Sequence, residues 1–176
     1  MAKKPSRRKF RKYLKGNIDE VLTLSTLGAG TLISDTFDNA VAEKTFVTSI
    51  DAIWELDAFA ITSGDGPIEV GVAHSDYSDS EIQQVIDNTG SWDEGDLVSQ
   101  EIAKRKVRVI GMFDTALGAV GGVQTVLNDG KPIHTKLNWM LQSGDTLRLW
   151  AVNKGGSPLA TGANVKANGR AHLWPA

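Results

Sequence analysis

Cysteine is absent from this 176-residue chain. That excludes disulfides, thiolate metal sites and cysteine nucleophiles, and leaves burial and self-association as sources of stability. Histidine is scarce, with three copies, so an imidazole-rich metal centre has few candidate ligands. No stretch approaches the roughly 18 consecutive apolar residues that a membrane helix needs, and the opening residues are charged where a signal peptide would be apolar. The chain is therefore expected to be soluble and intracellular when made, with no membrane partner. Phosphate-cradling glycine loops, paired zinc ligands and a convincing Ser/His/Asp order are missing too, so no cofactor is expected. What is present fits one domain with room for one sizeable core.

The net charge of −2 hides an uneven distribution. Lys3, Lys4, Arg7, Arg8, Lys9, Arg11, Lys12 and Lys15 give the first fifteen residues a charge of +8 with no acid, and the remaining residues sum to −10. A cationic arm of this kind neutralises phosphates and releases their counterions, whereas an acidic body repels them. Nuclear import, a membrane-surface helix or a plain solubilising tail are the competing uses of such a run. Phe10, Tyr13 and Leu14 fall at i, i+3, i+4, so Lys9 to Lys15 is expected to form a basic amphipathic turn ending at Gly16-Asn17. Phe10 and Tyr13 would then stack on unpaired bases or dock the arm on the body. The reading divides the chain into a nucleic-acid-binding arm, 1–17, and a shell domain, 18–176.

Beyond the arm, short alternating segments separated by Gly, Asn, Asp and Pro predict an all-β fold. Val21 to Thr26 and Thr31 to Thr36 read as opening strands. Phe46, Thr48, Ile50, Ala52, Trp54, Leu56 and Ala58 share one face of a long strand, with Ser49, Asp51, Glu55 and Asp57 opposite. Ile68, Val70, Val72 and His74 share the face of the next. Ser78 with Glu81 forms a capping box for a short helix carrying Ile82, Val85 and Ile86. A second helical turn is expected near Leu97 to Ile102, and Val107 to Phe113 is a strand. Asn128-Asp129-Gly130 predicts a hairpin between Val123–Leu127 and Ile133–Leu141. Thr146 to Val152 and Val165 to Trp174 complete about eight strands, which with the inserted helix predict a single jelly-roll β-sandwich. An immunoglobulin-like sandwich is the alternative, disfavoured by length and by the helix.

Gly71-Val72-Ala73-His74-Ser75-Asp76-Tyr77 followed by Glu81, Gln100 to Arg108, Leu147-Arg148-Leu149-Trp150, and Arg170-Ala171-His172-Leu173-Trp174 together resemble capsid proteins of small circular Rep-encoding single-stranded DNA viruses. The resemblance spans roughly Phe46 to Trp174. It implies a jelly-roll subunit, a homo-oligomeric icosahedral shell made of one protein, and a basic arm facing packaged viral single-stranded DNA. It also implies a place in the virion and, during assembly, in the host nucleus. Trp92, in a polar loop, is the candidate interface residue, because a monomer would leave it exposed.

Two other classes compete. His74-Ser75-Asp76 with a distant His134 has the His-x-Asp…His form of a non-haem iron(II) triad, with Arg148 available to a 2-oxo acid. Strand parity opposes it, since His134 is out of phase with Ile133, Thr135, Leu137 and Trp139, while His74 reads as a hydrogen-bonded core or interface histidine. Asp76, Asp79 and Glu81 would suit calcium, although a helix cap explains them without metal. A jelly-roll interaction module is the third class, and the polycationic arm tells against it.

Overall fold

In a computed structural model, residues 14–24, 27–37, 41–60, 67–87, 106–114, 123–156 and 161–175 are described. Among the described residues nine strands and one α-helix follow in order: β1 Leu14–Thr23, β2 Leu32–Thr36, β3 Thr45–Ala60, β4 Ile68–His74, α1 Asp79–Asp87, β5 Val107–Phe113, β6 Val123–Val126, β7 Ile133–Leu141, β8 Leu147–Asn153 and β9 Thr161–Pro175. One sheet runs β1-β9-β3 with both β6 and β7 on the far side of β3, and the other runs β2-β8-β4-β5. Every pairing is antiparallel. The last two strands are slotted between earlier ones, β9 between β1 and β3 and β8 between β2 and β4. That interleaving is the order of a jelly roll, as the strand pattern predicted.

The two inner faces meet in one core. Ile18, Leu22, Ile50, Trp54, Leu56, Leu137, Trp139 and Val165 face Ile68, Val70, Val72, Phe113, Leu149 and Ala151, all buried. In the long strand β3, Ile50, Ala52, Trp54 and Leu56 point inward as expected, but Phe46 and Thr48 do not. Thr48 is an extra residue between the Val47↔Leu173 and Ser49↔His172 pairs. Such a bulge reverses side-chain parity, so Thr45 and Val47 take the buried places and Phe46 turns outward.

A second correction concerns Asn128-Asp129-Gly130. All three have the expected positive φ, at 52°, 53° and 73°. The chain nonetheless does not reverse. Val126 pairs with Glu55 and Ile133 with Ala52, so β6 and β7 run in the same direction along one edge of β3. The segment is a turn-like interruption of one strand position, bridged by a 3-10 turn at Leu127–Gly130. A third difference lies at the arm's end. Leu14 to Asn17, expected to close a helical turn, are strand residues paired with Leu173 to Arg170.

Helix α1 covers part of the outer face of the β2-β8-β4-β5 sheet. Its capping box is made as predicted: Ser78 N–H and Oγ–H both donate to Glu81 Oε2, at 2.8 and 2.7 Å. These bonds, more than the slight burial that opposes them, hold the Glu81 carboxyl below its usual value. Ile82 is fully buried against Ala73, Val107, Trp150 and Val152 in a small second core. The helix explains why β4 and β8 are apolar on both faces.

Candidate functional site

The expected nucleic-acid-binding residues Lys3, Lys4, Arg7, Arg8, Lys9, Phe10, Arg11, Lys12 and Tyr13 lie outside the described residues, as does the interface candidate Trp92. Lys15 belongs to β1, directly opposite His172 of β9. The arm therefore joins the body beside the end of β9 and the beginning of β3, since Leu173 is paired with both Leu14 and Val47. Trp54, Trp139 and Trp150 are buried, and Trp174 is 38% exposed.

His74 ends β4 and is 1% exposed. Its Nε2 lies 3.2 Å from the Met140 carbonyl, and its Nδ1 lies 3.2 Å from the Asp76 backbone N–H. Backbone groups thus hold the ring at both nitrogens. Trp139 packs edge-on against the ring at 6.3 Å. This is the hydrogen-bonded core histidine that strand parity predicted.

The Asp76 and Asp145 carboxylates flank the same ring, at 3.1 Å from Nδ1 and 3.8 Å from Nε2. The three groups offer ligand atoms within 4.8 Å of one another, so a cation is geometrically conceivable. Their bonding points to a clasp instead. Asp145 Oδ2 accepts the Gln142 N–H at 2.6 Å, Asp76 Oδ2 pairs with Lys106 at 3.1 Å, and Ser75 Oγ accepts the Thr146 N–H at 3.0 Å. Together they tie the end of β4 to the β7–β8 turn and to the start of β5.

The iron triad is not assembled. His134 stands on the outer face of β7, 64% exposed, with its Nδ1 2.7 Å from Asp51 Oδ1 and away from His74 on the other sheet. Arg148, the candidate 2-oxo-acid binder, is engaged with the Tyr77 carbonyl at 2.8 Å and Asp79 at 3.0 Å. The calcium trio is also dispersed: Asp76 goes to His74 and Lys106, Asp79 to Ser34 and Arg148, and Glu81 to the helix cap. One grouping escaped the sequence reading. Asp51 bridges His134 and His172, whose Nε2 is 2.5 Å from Asp51 Oδ2. The alternation of β9 puts Arg170 and His172 on one face, but only its pairing with β3, and that of β3 with β7, brings Asp51 and His134 beside them.

No protein-family model matches the chain, and no curated protein matches it. Among solved structures it is similar to a chain from Desmodium yellow mottle tymovirus, with 11% identity and a TM-score of 0.33 over 99% of this chain and 94% of that one. Turnip yellow mosaic virus gives 12% and 0.35 over 99% and 85%. The Gx strain of infectious bursal disease virus gives 13% and 0.39 over 93% of this chain but only 33% of the other. At these scores the likenesses carry no argument, and the jelly-roll assignment rests on the strand order described above.

Proposed function

We propose that this chain is a viral coat protein that assembles with copies of itself into an icosahedral shell and packages single-stranded DNA through its basic arm. The observation that carries the reading is the joining of an eight-cation, acid-free N-terminal segment to the first strand of a complete jelly roll. A β-sandwich with an acidic body gains little from such an arm unless a polyanion lies on the side where the arm emerges. A jelly roll also hides its strand edges in two facing sheets, which gives a subunit rigid enough to tile a surface. The sequence resemblance to capsid proteins of small circular single-stranded DNA viruses supports DNA as the cargo and the virion as the destination, with the host nucleus as the place of assembly.

Negative-stain electron microscopy of the purified full-length protein tests the reading. Closed particles of uniform diameter are expected, with nucleic acid co-purifying. A monodisperse monomer across a wide range of salt and pH would exclude a shell-forming role.

A further inference from the structure

We propose that the outer face of the β1-β9-β3-β7 sheet, at the end where the arm joins, is a docking surface for single-stranded nucleic acid, built from Lys136, Arg170, His134 and His172 beside Phe46 and Trp174. The proposal rests on the polyanion-binding reading of the arm and extends it onto the folded body, whose composition shows a net excess of acid.

Register puts these residues together. Residues directly opposite in an antiparallel ladder project from the same face. Three successive rows cross the sheet. Met140, Phe46 and Trp174 form the first, Lys136, Ser49 and His172 the second, and His134, Asp51, Arg170 and Asn17 the third. The first row is apolar and aromatic, with Met140 and Trp174 both 38% exposed. The next two carry cations and one acid, Asp51, which is shared between the two imidazoles. Among the described residues Lys136 and Arg170 form no ion pair. An open groove of about 390 Å³ runs past Asp51, Ile53, Asn168, Arg170 and His172.

Farther along the same face the sign reverses. Asp19, Glu55 and Asp57 follow, and Lys166 there is paired with Asp57 at 2.9 Å. A merely solvated sheet face mixes its charges. This one collects its unpaired cations at the root of the arm and places an exposed aromatic row beside them. Cations for phosphates with rings for bases are the two elements of single-strand recognition. A duplex keeps its bases stacked inside and would give the aromatic row nothing to bind.

Fluorescence anisotropy on the full-length protein, with a labelled oligothymidylate of about 20 nucleotides, tests the surface. Lys136→Gln with Arg170→Gln should weaken binding about 3- to 10-fold and make the log–log salt slope shallower by about 1.4, the share of two phosphates. Lys136→Arg with Arg170→Lys keeps the charges and should bind as wild type, separating loss of charge from damage to the strands. Trp174→Leu should weaken binding of oligothymidylate but not of heparin, a polyanion without bases. An unchanged affinity and slope in the glutamine pair, equal loss in the charge-keeping pair, or an equal effect of Trp174→Leu on both probes would overturn the proposal. The arm reading fails separately: replacing the cations from Lys3 to Lys12 by glutamine would then leave binding intact. A wild-type protein that binds neither probe would sink both.

Discussion

Gly169 shows how closely β9 lies against β3. A Cβ there would sit 2.0 Å from the Asp51 carbonyl oxygen and 2.6 Å from the Ala52 Cα, both backbone atoms with no room to retreat. At Gly71 a Cβ would meet the Arg108 carbonyl oxygen at 2.1 Å and the Trp150 ring at 2.3 Å. Gly169→Ala and Gly71→Ala should therefore each cost at least the upper end of the usual overpacking range of about 1–3 kcal/mol. Gly16 is the control, because its Cβ would meet only the Leu173 Cδ1 at 3.3 Å and the Ala171 Cβ at 3.7 Å, and side-chain ends can shift. Gly16→Ala should stay within about 0.5 kcal/mol. Urea unfolding midpoints with unchanged m-values would establish the contrast. A Gly169→Ala protein as stable as wild type would show that the two strands are not so close.

At the scale of elements, the residues that alternated cleanly were legible and the interruptions were not. Val70, Val72 and His74, and Leu137 with Trp139, were placed on the buried face by period alone. Thr48 was misplaced because a bulge adds a residue without any compositional mark, and every residue before it then changes face. Asn128 and Asp129 announced left-handed backbone correctly, but that conformation serves an interrupted strand as well as a hairpin, and only the pairing of β6 and β7 with β3 distinguishes them. The Asp51–His134–His172 cluster needed three strands in register, which no local pattern supplies. Because a β-branched side chain is strained at φ of 52°, Asn128→Val should cost about 1–2 kcal/mol while Asn128→Gly is close to neutral.

Helix α1 offers an element with a pH signature. Burial pushes the Asp87 carboxyl up, but hydrogen bonds from Lys154 and Gln83 together with the Lys154 charge outweigh it, and the net shift is downward. Burial likewise pulls Lys154 down, and Asp87 and Glu69 more than reverse this, leaving it raised. Lys154 Nζ lies 2.7 Å from Asp87 and 3.5 Å from Glu69, so the clamp ties the end of the helix to the residue after β8. A lowered carboxyl stabilises the fold above its ordinary value and loses that contribution as pH falls through the folded one. A raised lysine contributes below its ordinary value and loses it as pH rises through the folded one. The clamp is thus complete between about pH 5 and pH 10. Solvent screening limits it to about 0.5–1 kcal/mol, so Lys154→Met should cost that much at pH 7 and nothing in acid strong enough to protonate Asp87, whose folded value lies below the ordinary carboxylate one. Thermal melts of both proteins at the two pH values would check this, and an equal deficit at both would assign the effect to lost packing instead.

For the whole molecule, the boundary between arm and body decides where a truncation is informative. Leu14 and Lys15 are paired with Leu173 and His172, so a cut after Lys15 removes two strand residues as well as charge. A cut after Tyr13 leaves β1 whole and removes seven of the eight cations. The core residues Ile18, Leu22 and Leu24 all lie downstream of that cut, and their burial against the opposite sheet is untouched. The shortened protein should therefore melt within about 1–2 °C of the full chain, because β1, its pairing with β9 and the core residues it carries are all retained. Its affinity for single-stranded DNA should collapse. At about 0.7 per neutralised phosphate, seven engaged cations contribute about −5 to the log–log salt slope, and the truncated chain should retain a slope of only about −1 to −2 from the sheet face beside Arg170. Fitting anisotropy titrations over a range of salt concentrations measures both slopes. If the truncated protein kept the full slope, the cations that matter would lie on the body, and the division between a binding arm and a shell-forming sandwich would have to be redrawn.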